Sequence, residues 1–464
     1  MSSTIDQEIT TIITPRKGFG RAFQEFFETE VAGSSILLVC AIIALIWANS
    51  PWADIYFDLL HLEFGFIVGS LHYELSLHEW VNDGLMAFFF LVVGLEVKRE
   101  LVVGELSSSR RAILPITAAV GGMLIPAAVY LILNFDGDGV RGWGVPMATD
   151  IAFALGVLAL LGSRVPPALK VFITALAIAD DLGAIAVLAI FYTEQIIWID
   201  VIISIAFLAI LYGLVRLNIR RIEFFAILVI GAWAAMLLSG IHATVAGILL
   251  AMIIPVRAEI KREEFLTIGY EKLDELTGGN LTTDSMIHDH QQMKSIIELH
   301  AASRRLRPPG LTLERYLHPV VVFVILPLFA LTNAGVPITD GFFDTLLSPV
   351  ALGIVFGLVL GKQMGVTLFS WLAIRSGYAN MPAGVTWGQI YGVGWLTGIG
   401  FTMSLFITEL AFDDPVLLNQ AKVGILVASL VAGVGGYLVL RRLLPVAEDV
   451  VSWRALPQKQ PAGD

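Results

Sequence analysis

Long apolar segments recur along the 464-residue chain, and they restrict its possible folds more than any other feature. Hydrophobic residues make up 56% of the sequence and charged residues only 15%, against roughly 25% charged residues in a typical soluble domain. The composition therefore predicts an all-α integral membrane protein with about twelve transmembrane helices. The predicted spans lie near residues 33–49, 81–97, 112–133, 145–161, 168–192, 199–215, 224–238, 243–254, 320–331, 350–372, 390–410 and 423–440.

Other classes of protein are excluded by the same sequence. The high apolar content excludes a disordered chain. The single cysteine, Cys40, excludes an intrachain disulfide and argues against a cysteine-based metal site. The net charge of −11 argues against nucleic acid as a partner, because nucleic acid binding needs clustered basic residues.

The basic residues indicate how the chain crosses the membrane. If both termini are cytoplasmic, all but three of the 29 Lys and Arg residues fall on the cytoplasmic side, as the positive-inside rule requires. The exceptions are Arg141 and Lys422, which we expect in external loops, and Lys362, which lies within a span. This topology predicts a cytoplasmic segment at 1–32, a transmembrane domain at 33–442 and a cytoplasmic tail at 443–464.

Two segments between the spans have other compositions. In the external segment, residues 63–75 alternate in polarity around Gly69 and Ser70, which suggests a small β-hairpin, with an irregular loop as the alternative. A polar cytoplasmic insert occupies residues 257–309. Its His288 and His290 could bind a metal ion, but a solvated helical or disordered loop explains them better, because candidate ligands without a geometry are weak evidence.

Ionisable residues inside the predicted spans are the strongest functional signal. Asp150, Asp180, Asp181 and Lys362 each cost roughly 2.5–3.5 kcal/mol or more within hydrocarbon unless they are paired or hydrated. A structural ion pair accounts for Lys362 and one aspartate. The remaining carboxylates need protons or a cation.

The surplus of carboxylates predicts exchange chemistry. Asp180 and Asp181 point about 100° apart on a helix, and such a cluster titrates as a coupled set. A hard cation such as Na⁺ prefers oxygen ligands, which the carboxylates, the Thr149 hydroxyl and free backbone carbonyls would supply. Protons and Na⁺ would then compete for the same oxygens. Competition at a site that opens to one side at a time gives obligatory exchange.

Two stretches predict broken helices. Pro146 and several small residues interrupt the helix around Asp150, and residues 144–153 align with residues 392–401. The predicted topology gives the stretches opposite orientations, as in an inverted repeat with two broken, crossing helices. The negative charge of Asp150 could balance the positive dipole end at a helix N-terminus there. The positive charge of Lys362 could balance the negative dipole end at a helix C-terminus. The aligned identities are Gly144/Gly392, Val145/Val393, Thr149/Thr397, Ile151/Ile399 and Phe153/Phe401.

Several motifs resemble those of bacterial NhaA-type sodium/proton antiporters. The resemblance covers nearly all of residues 20–442, and its motifs are specific in combination. They are GLEVKRE at 94–100, ATDIAFALG at 148–156, AIADDLGAI at 177–185, HAT at 242–244, LPLFA at 326–330, NAG at 333–335, LGKQ at 360–363 and GIGFTM at 398–403.

The resemblance implies a secondary transporter, not an enzyme. It implies electrogenic exchange of internal Na⁺ or Li⁺ for external protons, no resident cofactor, the bacterial inner membrane and a homodimer formed through the external hairpin. Asp180 and Asp181 match the shared Na⁺ and proton site, and Asp150 and Thr149 match the unwound crossing. In such transporters, NhaA among them, paired broken helices mark an ion site at the membrane midplane.

Further residues match positions with other roles in the family. Lys362 matches a lysine that pairs with the first aspartate. Positions linked to pH response correspond to Glu96, Arg99, Glu100, His242 and Glu314. The insert at 257–309 is longer than the loop expected there, so it is either a regulatory or partner-binding addition or an inert solvated segment.

Two other functions remain open from the residues alone. Buried aspartates also occur in intramembrane aspartyl proteases, but the lysine and the adjacent aspartate pair are out of place in such an enzyme. A passive cation channel is the second alternative. Transport that depends on a proton gradient would distinguish an antiporter from both.

Overall fold

The computed structural model describes residues 19–68, 71–193, 196–217, 222–277, 290–338 and 341–444. In this part of the chain, seven helices are long and apolar enough to cross a membrane, and two bent helix pairs raise the number to nine. The other three predicted spans form the shorter helices Met86–Val102, Ile222–Leu238 and Thr244–Ile253. Each predicted span thus corresponds to a helix or a broken pair, and the all-α membrane fold is confirmed.

The α-helices are numbered in chain order. The first ten are α1 Phe19–Ala48, α2 Ala53–Leu60, α3 Leu77–Glu79, α4 Met86–Val102, α5 Ser109–Leu133, α6 Ile151–Leu160, α7 Pro167–Phe191, α8 Trp198–Arg216, α9 Ile222–Leu238 and α10 Thr244–Ile253. The other ten are α11 Arg262–Thr277, α12 His290–Leu306, α13 Pro309–Val320, α14 Leu326–Asn333, α15 Phe342–Leu346, α16 Pro349–Phe356, α17 Lys362–Arg375, α18 Trp387–Leu396, α19 Phe401–Ala411 and α20 Pro415–Leu443. Turns of 3₁₀-helix cover Glu105–Ser107, Asp138–Met147 and Gly162–Arg164, and turns of π-helix cover Trp80–Leu85, Val321–Ile325 and Gly357–Gly361.

Several helices extend beyond the predicted spans, because their ends contain polar residues that an apolar pattern does not assign to a span. Helix α1 already begins at Phe19, inside the segment assigned to the cytoplasm. Helix α20 begins at Pro415, where the Asp414 side chain accepts a hydrogen bond from the Val416 amide at 2.8 Å. Lys422 therefore lies within a helix, and its predicted place in an external loop is wrong.

The chain divides into two compact units. The first comprises the described parts of residues 1–82, 109–192 and 322–464, and it contains both broken helix pairs. Helices α5 and α17 pack so closely in this unit that a Cβ added at Gly365 would collide with the Gly121 carbonyl oxygen. Small residues at a helix contact allow such close approach of two backbones within a membrane.

The first unit also contains the predicted hairpin. Strands β1 Glu63–Val68 and β2 Leu71–Ser76 pair antiparallel. The predicted turn at Gly69 and Ser70 lies outside the described residues, but the hairpin itself is confirmed. The Trp80 ring stacks on Phe64 at 6.1 Å between ring centroids, and its Nε1 donates to the Phe64 carbonyl at 2.9 Å.

The second unit comprises the described parts of residues 83–108 and 193–321. Helix α4 packs on α10, and the Lys98 ammonium donates to the Met252 and Ile254 carbonyls at 2.7 and 2.6 Å. This basic side chain neutralises the carbonyl end of α10.

The polar insert contributes two helices to the second unit, α11 and α12, which pack against each other. The Lys272 ammonium lies 2.8 to 3.2 Å from the carboxylates of Glu271, Glu275 and Glu298, and these carboxylates raise the pKa of Lys272. His288 lies outside the described residues. Among the residues that are described, no group of three or more His, Cys, Asp and Glu side chains could hold a metal ion.

We expect Gly365→Ala to destabilise the protein, because its methyl group would collide with the α5 backbone. Overpacking of this kind typically costs roughly 1–3 kcal/mol. The matched control is Gly213→Ala on α8, where an added Cβ has nothing within 4 Å. Thermal unfolding of the purified protein should show a lower Tm for Gly365→Ala and an unchanged or slightly higher Tm for Gly213→Ala. Equal Tm values would contradict the close contact.

Candidate cation and proton site

Both predicted helix breaks are present. The 3₁₀ segment Asp138–Met147 and α6 meet at a bend of 44°, and α18 and α19 meet at a bend of 49°. Pro146 lies one residue before the end of the first segment, and because it lacks an amide hydrogen it leaves one helical hydrogen bond unmade. The chain is extended at Ala148 and Asp150 before α6 begins. Backbone groups in the two breaks are therefore available for other contacts.

The two breaks contact each other directly. The Asp150 amide donates to the Ile399 carbonyl at 2.7 Å, and the Thr149 hydroxyl donates to the Thr397 carbonyl at 2.9 Å. The rings of Phe153 and Phe401 pack edge to face at 5.1 Å. Thr149 and Thr397 are aligned in the sequence repeat, as are the two phenylalanines. The repeated stretches thus meet at equivalent positions.

Asp150 links the two half-helices that follow the breaks. Its Oδ1 accepts a hydrogen bond from the Phe153 amide of α6 at 3.0 Å. Its Oδ2 accepts from the Thr402 amide of α19 at 3.0 Å and from the Thr402 hydroxyl at 2.5 Å. One buried carboxylate therefore faces the positive N-terminal ends of two helices, which is the favourable arrangement for a negative charge.

Lys362 forms a buried ion pair with Asp180 and also contacts Thr149. The ammonium lies 2.6 Å from Asp180 Oδ2 and donates to the Thr149 hydroxyl at 2.9 Å. The lysine side chain is fully buried, and that of Asp180 is 1% exposed. The sequence suggested that Lys362 balances a helix C-terminus, but its ammonium instead contacts a carboxylate and a hydroxyl. A π-helical turn, Gly357–Gly361, directly precedes the lysine, and such turns recur at functional positions.

Asp180 also has an oxygen without a partner. Its Oδ1 is buried and accepts no hydrogen bond from the residues that the structure describes. Asp181 follows on α7, is 3% exposed and interacts electrostatically with Lys362. A buried carboxylate oxygen without a partner is costly, so this position favours a bound cation or a proton.

The structure brings together Thr149, Asp180 and Lys362, and it holds Asp150 at the crossing beside Thr149. Thr397 and Thr402 also belong to this arrangement, although the sequence assigned them no role. The register of the repeat could have revealed Thr397, because it aligns with Thr149. No sequence signal indicated that Thr402 bonds Asp150, since that contact depends on how the two breaks cross.

Four of the five residues predicted to respond to pH lie together in the second unit. The Arg99 guanidinium lies 3.2 Å from Glu314, 3.4 Å from Glu96 and 3.5 Å from Glu100. His242 lies elsewhere, because it precedes the N-terminus of α10, whereas Lys98 binds the carbonyls at the opposite end. A ten-residue helix separates the two ends by roughly 15 Å. His242 therefore does not join the group around Arg99.

Buried charges at two crossed, broken helices are typical of multi-pass membrane proteins of the secondary-transporter class, which includes the NhaA antiporters. Residues 24–440 match the family model described as Na+/H+ antiporter 1. The chain belongs to this family, and the resemblance seen in its motifs is confirmed.

Named relatives agree with this assignment. The "Na(+)/H(+) antiporter NhaA" of Oleidesulfovibrio alaskensis is 45% identical over 91% of this chain and 94% of the relative. The protein of the same name from Koribacter versatilis is 45% identical over 93% of this chain and 94% of the relative. That of Sulfurimonas denitrificans is 44% identical over 90% of this chain and 95% of the relative.

We expect Lys362→Met to destabilise the protein and to change the pH dependence of its stability. Removing one partner of a buried ion pair leaves an uncompensated charge, which costs roughly 3–5 kcal/mol. The double variant with Asp180→Leu removes both charges and should recover most of the lost Tm. Unchanged melting in the single variant, or no recovery in the double variant, would contradict the pair.

A second prediction concerns the crossing. Asp150→Ala leaves the Phe153 and Thr402 amides without their acceptor, and hydrogen bonds to a charged group contribute roughly 1.5–3 kcal/mol. Its Tm should therefore fall clearly. The control is Asp138→Ala, at an exposed aspartate of the preceding 3₁₀ segment, for which little change is expected. Similar Tm values for both variants would show that Asp150 does not hold the half-helices.

Proposed function

We propose that this protein is an electrogenic secondary antiporter that extrudes Na⁺ or Li⁺ in exchange for external protons, and so serves pH and sodium homeostasis. Membership of the family supports exchange of Na⁺ for protons. The proposed site rests on the contacts of Asp180. One of its carboxylate oxygens pairs with the Lys362 ammonium, and the other accepts no hydrogen bond from the described residues.

The ligands proposed for the cation are all oxygens, as a hard ion requires. Asp180, Asp181 and the Thr149 hydroxyl supply them, together with backbone carbonyls of the broken stretch. Within this buried site a sodium ion and the Lys362 ammonium would repel each other strongly, because interior charges are poorly screened. Binding of Na⁺ therefore displaces the ammonium from Asp180 and releases protons, and protonation reverses these events.

The contacts of Lys362 suggest how ion exchange is transmitted to the helices. The ammonium bonds Thr149, and Thr149 in turn bonds the carbonyl of Thr397 in the other break. Loss of the Lys362–Asp180 contact therefore changes the restraints on both breaks at once. We propose that the half-helices then tilt to expose the site to the other side. Each net charge moved couples the cycle to the membrane potential by about 2.3 kcal/mol per 100 mV.

The proposal extends to placement and regulation. The protein would lie in the bacterial inner membrane with both termini in the cytoplasm, form a homodimer through the external hairpin and need no resident cofactor. Arg99, held by the carboxylates of Glu96, Glu100 and Glu314, would belong to the part of the protein that responds to cytoplasmic pH.

The contacts do not favour an aspartyl protease. Such an enzyme needs two aspartates that share a proton. Here Asp150 accepts hydrogen bonds from Phe153 and Thr402, while Asp180 pairs with Lys362. A passive channel would conduct Na⁺ without moving protons, so coupled flux separates it from the proposed antiporter.

We expect Asp181→Asn to abolish Na⁺-evoked collapse of a proton gradient in proteoliposomes, because the site loses a charged ligand. The control is Asp54→Asn on α2, at an exposed aspartate, which should retain wild-type exchange. A pH-sensitive dye inside the vesicles reports the rate, and the Tm verifies folding. Full exchange by Asp181→Asn would rule out the proposed site. Na⁺ flux without proton movement in the wild type would indicate a channel.

A further inference from the structure

A second buried polar network lies in the first unit, apart from the cation site. It joins the segment after the hairpin to α14, α19 and α20. Glu409 lies two turns beyond Thr402 on α19, a distance of roughly 10 Å along the helix. The exposed fraction is 0% for Asn333 and 8% for Asn82. The members of this network, here called the His78 network, are His78, Asn82, Asn333, Glu409 and Lys422.

The contacts of Asn333 determine which nitrogen of His78 carries a proton. The Asn333 Nδ2 donates to the Phe329 carbonyl at 3.0 Å, so the other side of this amide presents its oxygen. That oxygen lies 3.0 Å from His78 Nε2. Because an amide oxygen can only accept, Nε2 carries the hydrogen. In a neutral imidazole, Nδ1 is then an acceptor.

Asn82 presents a donor to the His78 imidazole, which favours its neutral form. Its Oδ1 accepts from Asn333 Nδ2 at 2.9 Å, which directs its own Nδ2 towards the imidazole. This Nδ2 lies 3.3 Å from His78 Nε2 and 3.5 Å from His78 Nδ1, so the imidazole faces a donor. A second proton, on Nδ1, would place another donor beside this amide, which disfavours the charged imidazole.

Charged groups on each neighbouring element decide the response to protonation. Burial lowers the pKa of His78, and Lys422 on α20 lowers it further, whereas Glu409 and Glu79 raise it. Glu409 Oε1 lies 2.6 Å from the Lys422 ammonium and 3.7 Å from His78 Nε2. Tyr56 on α2 interacts electrostatically with the same carboxylate. A protonated His78 would therefore compete with Lys422 for Glu409.

Helix α19 connects this competition to the crossing. Glu409 lies near its C-terminal end, and Thr402 in its first turn bonds Asp150. We propose that His78 is a pH switch at the external face, which acts through Glu409 and α19 on the crossing of the broken helices. The external placement rests on the topology given under the proposed function. His78 contacts neither Asp180 nor Lys362 in this scheme, so it is a positioning residue and not part of the ion site.

Stability against pH tests the switch without transport. The folded state binds the His78 proton less readily than the unfolded chain, where a histidine pKa is about 6.5. The stabilisation is therefore complete above that pH and is lost as the pH falls. His78→Gln keeps a donor for Asn333 but cannot titrate. As the pH is lowered from about 7 to about 5, its Tm should fall less steeply than that of the wild type.

The control variant for this experiment is His61→Gln. His61 is exposed, and its ring bonds the Phe57 carbonyl at 2.7 Å. It should keep the wild-type dependence of Tm on pH. Glu409→Gln removes the anion that favours the charged imidazole, so its loss of stability should begin near the same pH as in the wild type but become larger and continue to a lower pH. Identical Tm profiles for wild type and His78→Gln would overturn the switch.

Transport in oriented proteoliposomes tests the effect of His78 on ion exchange. The external pH is varied at fixed internal pH while Na⁺-evoked proton movement is recorded. We expect a step in the wild-type rate that persists in His61→Gln and is absent in His78→Gln. Normal exchange with the same step in His78→Gln would refute the switch. A wild-type step that appears only when the internal pH is varied instead would refute the external placement of His78. No exchange in the wild type would instead refute the proposed function, and the Tm profiles would still decide whether His78 titrates as proposed.

Discussion

The ion pair between Lys362 and Asp180 is the interaction on which the site depends. Two opposite charges in an apolar interior are tolerated only while each compensates the other, so neither can change state without a replacement. The pair is also incomplete, because Asp180 keeps an unpartnered oxygen and Asp181 adds a second carboxylate nearby. In the proposed mechanism, a site with more negative than positive groups attracts a small cation, and the ammonium already present competes with that cation.

The broken helices make this chemistry possible within a membrane. A continuous helix satisfies its own backbone groups, whereas the two breaks leave groups that must be satisfied by each other and by side chains. Asp150 fulfils this need for α6 and α19 at once, and Thr149 connects the breaks to Lys362. In the proposed mechanism, the crossing is therefore both a scaffold for the ion site and the element through which a change at Lys362 would reach the rest of the first unit.

Much of this architecture could be predicted from the sequence, because hydrophobic runs determine spans and unpaired charges within them are rare. The twelve spans, the hairpin and the two breaks were predicted from such patterns. Contacts that depend on how distant segments cross were not. The bonds from Thr402 to Asp150 join residues far apart in the chain, and the ends of α1 and α20 extend into polar sequence that a hydropathy pattern does not assign to a helix. Lys422 was misplaced for that reason, and its pairing with Glu409 was missed.

Calorimetry of Na⁺ binding tests the central claim most directly. The purified protein is titrated with Na⁺ at two pH values, each in buffers of different ionisation enthalpy, so that the buffer heats count the protons released. Competition for shared oxygens predicts weaker Na⁺ binding at the lower pH and a heat that depends on the buffer. Equal affinity at both pH values with no buffer-dependent heat would contradict a site shared by Na⁺ and protons.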